Sequence, residues 1–327
     1  MLLSRIFPAI FSAFTLISVS SCTFDSTVES VKKEGQNNSE QEIRFDENPL
    51  DKKGLCYNHL NEAEVTSLVQ GTDGIKWVYN WGTHPTEAED SLFRANGILY
   101  IPMQWGLSTE QSRKELREYY KNHPECKYLL GYNEPNLKTA GDGGSEITPT
   151  KAADDWKNLE DIAEEFNLKL VGPALQYSGA ILGDGKNYDT PSKWMDAFIS
   201  AYKRKYDRAP RYDYFALHCY MNWPGAQEGY IKEHAQKYKK QIWLTEFCAW
   251  EYNNGGQSES VDKQTSSMLE KTAFMESSTL VAKYAWFMSH GNATTIPFNS
   301  IFNADNNIKN GDGSLTSLGK AYLGLSE

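Results

Sequence analysis

The chain has 327 residues, a formal net charge of −10, and a composition that is 40% hydrophobic and 13% aromatic. That acidic balance argues against nucleic acid and other polyanions as partners. Once a leader and a polar stretch are set aside, roughly 270 residues remain, enough for one large α/β barrel or two small domains.

Residues 1–21 carry Arg5, then an apolar run from Ile6 to Val19, and close in Val19-Ser20-Ser21 before Cys22. Small residues after a short apolar core mark a secretory signal peptide. Pro8 and several serines interrupt the run, which makes it a poor membrane span. The cysteine directly after the small residues resembles a bacterial lipoprotein box. On that resemblance Cys22 is lipidated, becomes the new amino terminus, and anchors an exported protein to an outer or cell-surface membrane. The plainer alternative is an ordinary signal peptide cut nearby. Residues 22–53 are polar, acidic and nearly free of bulky apolar groups, so they cannot bury enough surface to fold alone and read as a flexible tether.

From residue 54 to residue 325, short apolar runs alternate with amphipathic stretches. The runs are Gly54–Tyr57, Lys76–Tyr79, Ile98–Met103, Tyr128–Tyr132, Lys169–Pro173, Tyr214–His218, Ile242–Thr245 and Ala282–Phe287. Each is bounded by turn residues and too short for a typical helix, so each predicts a buried strand. Helix starts lie between them. Thr86 to Glu89 and Ser108 to Gln111 have capping-box spacing, and Thr148-Pro149 and Thr190-Pro191 set a cap before proline. Asp155–Ala163 carries one apolar stripe at helical spacing, and Thr316–Leu323 predicts a closing helix. Eight strands alternating with helices imply parallel pairing. The first strand is followed by no glycine-rich phosphate loop, so a single (β/α)8 barrel fits better than a dinucleotide fold.

Setting Cys22 aside, Cys56, Cys126, Cys219 and Cys248 show no regular spacing and read as free thiols. No Cys/His spacing suggests a metal site. After the eighth strand a rim loop rich in Asn, Gly and Asp runs to about Ser314. Its Asp305-Asn306-Asn307 is a poor calcium loop because Lys309 takes a ligand position. No cofactor is called for, and nothing in the chain requires more than a monomer.

In such barrels chemistry gathers at the carboxyl ends of the strands. Those ends present Tyr57 and Asn58, Asn80 and Trp81, Gln104 and Trp105, then Asn133 and Glu134. Gln176 and Tyr177 follow, then His218, Tyr220 and Trp223, then Glu246 and Trp250, and finally Trp286. Carboxylates on the fourth and seventh strands face each other across the mouth, the minimum equipment for splitting a glycosidic bond. The surrounding aromatics suit flat sugar faces, although any one of them could equally pack the barrel top. Trp286 and Trp81 stand out, since each ends or follows a strand. Trp77, Trp156, Trp194 and Trp243 read as packing residues.

Gly131-Tyr132-Asn133-Glu134-Pro135-Asn136 and Trp243-Leu244-Thr245-Glu246-Phe247 are similar to the two signatures of glycoside hydrolase family 128. Tyr79-Asn80-Trp81, Pro102–Gly106 and Tyr284-Ala285-Trp286-Phe287 add to the likeness, which runs over nearly all of residues 54–325. The resemblance implies a barrel acting as a retaining endo-β-1,3-glucanase on laminarin- or curdlan-type glucan. By position it makes Glu134 the general acid/base, Glu246 the nucleophile, and Asn133 the residue that binds the sugar 2-hydroxyl. One departure is Cys219, where the pattern leads us to expect an aromatic before Tyr220. Two alternatives stay open: a surface lipoprotein that binds β-glucan without turnover, and the same barrel acting on another β-glycan.

Overall fold

The computed structural model describes residues 45, 49–250, 260–291, 298–303 and 311–325, all within one compact unit spanning Glu42–Glu327. The leader, Cys22, most of the tether and the Asp305-Asn306-Asn307 segment lie outside the described residues. No helix among the described residues is long and apolar enough to cross a membrane.

Nine strands are described: β1 (Lys53–Cys56), β2 (Trp77–Tyr79), β3 (Leu99–Tyr100), β4 (Tyr128–Leu130), β5 (Lys169–Val171), β6 (Leu175–Gln176), β7 (Phe215–Cys219), β8 (Ile242–Phe247) and β9 (Val281–Trp286). The helices are α1 (Glu62–Leu68), α2 (Glu87–Ala95), α3 (Glu110–Asn122), the kinked turn α4 (Thr139–Asp142), α5 (Pro149–Glu165), α6 (Pro191–Tyr206), α7 (Pro224–Tyr238), α8 (Val261–Ser277) and α9 (Ser317–Tyr322). This is the expected parallel α/β alternation.

Seven strands form one sheet in the order β3-β2-β1-β9-β8-β7-β6, and β4 pairs with β5. All the strand pairs are parallel. The hydrogen-bonded ladder is therefore not continuous around the barrel. Single parallel bridges, Met103 with Leu130 and Val171 with Tyr214, span the two gaps. Proline explains two interruptions. Pro102 ends the third expected run early, and Pro173, the last residue of the fifth run, separates β5 from the unexpected β6, because neither residue has an N–H for the ladder.

Side chains alternate between two layers. Cys56, Trp77, Tyr79, Met103, Leu130, Ala216, Trp243 and Ala285 fill the barrel interior. Leu55, Val78, Leu129, Leu170, Leu217, Leu244 and Tyr284 pack outward against the helices. Trp156 and Trp194 are fully buried in that outer layer. Four cysteines are buried free thiols: Cys56, Cys126, Cys219 and Cys248.

The caps follow the sequence with one shift. Thr86 closes its box with Glu89, and Thr148 and Thr190 cap helices that begin in proline. The α3 box closes on Thr109 and Ser112, one residue later than expected. Asp155 accounts for the shift, since its carboxylate accepts from both the N–H (2.7 Å) and the hydroxyl (2.6 Å) of Ser108. The folded unit also begins slightly before residue 54. Lys52 is buried, its ammonium donating to the carbonyls of Met275 and Ser278 at 2.8 and 2.9 Å, and Lys53 opens β1.

Candidate active site

Close backbone approach brings the first glutamate into place. At Gly131 a Cβ would lie 2.8 Å from the Trp156 ring and 2.9 Å from the Val171 carbonyl oxygen, so only glycine lets β4 pass there. Beyond it, the Asn133 N–H donates to the Trp105 carbonyl (2.9 Å) and the Glu134 N–H to the Ala174 carbonyl (2.8 Å). The side-chain amide of Asn136 donates to the Gln176 carbonyl at 2.8 Å, tying this loop to β6. Glu134 itself has φ of 40° and Trp81 has φ of 64°. Left-handed backbone at a non-glycine residue costs on the order of 1 kcal/mol, and of the eight such residues described these two line the cavity over the glutamates.

Glu246 lies within β8, not just past it as the shorter expected run implied. Its carboxylate is surrounded by donors. The Trp81 indole N–H (2.8 Å) and the Tyr79 hydroxyl (3.1 Å) reach Oε1, while the Tyr220 hydroxyl donates to Oε2. His218 Nδ1 stands 3.3 Å from Glu246 Oε2 and 2.8 Å from Glu134 Oε1. One imidazole nitrogen thus bridges the two carboxylates, and His218 is wholly buried. Oxygens of the two glutamates and this nitrogen all lie within 4.8 Å of one another.

Burial drives the electrostatics. Desolvation pushes the Glu134 pKa up, the hydrogen bond and charge of His218 pull it down, and the negative charge of Glu246 pushes it up again; the net direction is up. For His218, burial alone would lower the pKa. The charge of Glu246, then the hydrogen bond and charge of Glu134, outweigh it and leave the imidazole more basic than usual. Burial, reinforced by Glu246, holds the Tyr220 and Tyr79 phenols well above their usual range, so both remain donors.

The three groups Glu134, His218 and Glu246 are close enough to share a cation. Two phenols and an indole aim protons at Glu246, however, and a cation would have to displace them. The surroundings suit a free carboxylate rather than a metal ligand.

A cavity of about 340 Å³ opens over the pair, lined by Asn133, Glu134, Tyr220, Glu246, Trp81, Trp105 and Trp250 among others. A second of about 500 Å³ adjoins it, sharing Trp81 and Trp105 and adding Gln104. Four residues expected to bind substrate line neither cavity, the first being the wholly buried His218, which holds the two carboxylates instead of a sugar. Trp286 is fully buried against Phe247 and Tyr322, with its N–H donated to the Asn299 carbonyl at 2.7 Å. Strand alternation turns it toward the helices, which removes it as a sugar platform. Asn80 turns aside to accept from the Tyr100 hydroxyl (2.5 Å) and the Gly82 N–H (3.1 Å). Trp223, 55% exposed at the start of α7, lines neither cavity.

Sequence reasoning missed Tyr79 as a partner of Glu246. It also missed Phe287 and Met288, joined by a cis peptide bond, and Asp142, all on the cavity wall. Period-two alternation was the available signal for Tyr79, which shares a strand face with Trp81. Cys219 is buried and lines neither cavity, so the departure there does not touch the cleft.

Residues 54–322 match the family model of the glycosyl hydrolase catalytic core. A solved subgroup II endo-β-1,3-glucanase of family 128 from Pseudomonas viridiflava is 32% identical, with a TM-score of 0.71 over 84% of this chain and 98% of that one. The chain belongs to glycoside hydrolase family 128. A second subgroup II endo-β-1,3-glucanase of family 128, from Sorangium cellulosum, is 27% identical with a TM-score of 0.64, covering 84% of this chain and 99% of that one. Alkali-sensitive linkage protein 1 of Schizosaccharomyces pombe is 25% identical over 253 residues, 76% of this chain. The chain spans 40% of that curated relative's length.

Proposed function

We propose that this family 128 protein hydrolyses internal β-1,3-glucosidic bonds of laminarin- or curdlan-type glucan with retention of configuration. The observation that carries the reading is the pair of opposed carboxylates, Glu134 and Glu246, with one oxygen of each within 4.8 Å of the other and His218 Nδ1 between them. Retaining pairs stand about 5 to 5.5 Å apart and inverting pairs about 6.5 to 9.5 Å, and the short gap here leaves little room for the water an inverting enzyme needs. The solved relatives from Pseudomonas viridiflava and Sorangium cellulosum, both endo-β-1,3-glucanases, support the substrate class.

The chemistry follows from the two environments. Glu134, whose pKa is raised by burial and by Glu246, gives its proton to the departing glycosidic oxygen. The Glu246 carboxylate attacks the anomeric carbon as that C–O bond breaks, forming a glycosyl ester. The ester carries no charge, so the pressure that Glu246 puts on the Glu134 pKa vanishes. Glu134, now ionised, takes a proton from water; the oxygen attacks the anomeric carbon, the ester breaks, and Glu246 leaves as carboxylate. Asn133, whose Oδ1 is buried without a partner, is positioned to bind a sugar hydroxyl beside the reacting carbon. Trp81, Trp105 and Trp250 supply ring faces around it.

Release of reducing ends from laminarin tests the reaction, and proton NMR of the first anomer released tests retention. Glu134→Gln and Glu246→Gln are each expected to reduce kcat by about a thousandfold. A first product of α configuration, or near-full activity in either variant, would overturn the assignment. We also read the Val19-Ser20-Ser21-Cys22 junction as the site of export and lipid anchorage, with Cys22 carrying the lipid and the barrel held at a cell-surface membrane.

A further inference from the structure

Helices around a barrel normally turn an apolar stripe toward the strands. Helix α8 sets polar residues into that stripe beside Met268 and Met275. Its buried positions include Gln264, Ser267 and Lys271, spaced three and four residues apart on one face, all at most 3% exposed. A polar side chain buried in such a layer needs a partner to offset its lost hydration. All three find partners in the backbone of the loops that leave β7 and β8. Lys271 Nζ donates to the Met221 carbonyl (2.6 Å) and the Cys248 carbonyl (3.3 Å). The Ser267 hydroxyl donates to the Asn222 carbonyl at 3.0 Å. Gln264 grips Ala249 from both sides, accepting from its N–H at 2.8 Å and donating to its carbonyl at 2.9 Å. The two loops are also joined directly, the Trp250 N–H donating to the Tyr220 carbonyl at 2.9 Å.

Met221 follows Tyr220, the phenol that donates to Glu246, and Ala249 precedes Trp250, which lines the cleft. The polar stripe therefore fastens the backbone immediately beside two residues of the site, from outside the barrel and without touching the cavity. A helix held by apolar contacts alone can slide by fractions of an ångström at little cost. Hydrogen bonds to named carbonyls fix both register and height, because each has a narrow range of length and angle. We propose that Lys271, aided by Gln264 and Ser267, is a positioning residue for hydrolysis: it sets the loop that aims the Tyr220 hydroxyl at Glu246. The kinetic side of this inference rests on the glucanase reading above.

The test is Lys271→Met, which keeps the length and removes every donor, studied in the full chain with laminarin. Expected is a fall in kcat of about tenfold with KM within about twofold, because the Tyr220 bond matters most as charge shifts on Glu246. In a Tyr220→Phe background the same substitution should change kcat by less than about twofold, since the group it aims is gone. A merely structural role would instead multiply through both backgrounds. Indole N–H signals in a ¹⁵N-tryptophan NMR spectrum give a readout independent of turnover. The Trp250 signal is expected to move in Lys271→Met, while that of Trp156, bonded to the Arg211 carbonyl, stays in place. If Lys271→Met does not fold, Ser267→Ala serves with a smaller effect of the same pattern. Unchanged kcat and an unmoved Trp250 signal overturn the proposal. Wild-type protein that fails to cut laminarin overturns the functional reading alone, and the NMR comparison still decides the positioning role.

Discussion

Replacing His218 separates the forces acting on the acid. In the native site, burial and the charge of Glu246 push Glu134 up, while the hydrogen bond and charge of His218 pull it down. His218→Leu fills a comparable volume and deletes the pull. It removes a 2.8 Å bond to Glu134 and a 3.3 Å approach to Glu246. A hydrogen bond involving a charged group is worth about 1.5 to 3 kcal/mol, and this one favours the ionised carboxylate, so losing it should raise the pKa of the acid further. The sign follows from the role. Glu134 must be protonated to donate, so raising its pKa carries activity to higher pH. The alkaline limb of kcat/KM, which reports the free enzyme, is expected to move to higher pH. His218→Asn places an amide N–H near the Nδ1 position but cannot titrate, and should shift the limb by less. The assay is reducing-end release from laminari-oligosaccharide between about pH 4 and 9, with circular dichroism confirming the fold. An alkaline limb that stays put or moves down in folded His218→Leu refutes the account of Glu134.

Trp286→Phe should act on stability and spare the cleft. Loss of the indole packing and of its bond to Asn299 is expected to cost about 2 kcal/mol and lower the melting temperature by about 4 to 8 °C. A raised KM with unchanged melting would return Trp286 to the substrate. For the anchor, detergent phase partitioning of the exported wild-type chain should place it in the detergent phase, and Cys22→Ser should move it to the aqueous phase. Equal partitioning of the two removes Cys22 as the lipid site.

The sequence was enough for the alternation of strands and helices, because period-two burial, capping residues and proline each act within a few residues. It also exposed the two glutamates, since each closes an apolar run that has no other use for a charge. Strand ends were less legible: Pro102 cuts a ladder that hydropathy alone would extend, and β6 beyond Pro173 is too short to show as a run. Facing was less legible still. Trp81 and Trp286 look alike in the sequence, each at the end of a strand, yet one donates to Glu246 and the other is sealed beneath the helices. Which side of a strand faces the cleft depends on bulges and register shifts, such as those between β7, β8 and β9, that local sequence does not encode. The bridge of His218 between two carboxylates that lie 112 residues apart, and the grip of Lys271 on two loops, exist only once the barrel forms. Local chemistry singled out the two glutamates; only the folding of distant strands onto one rim could decide what holds them.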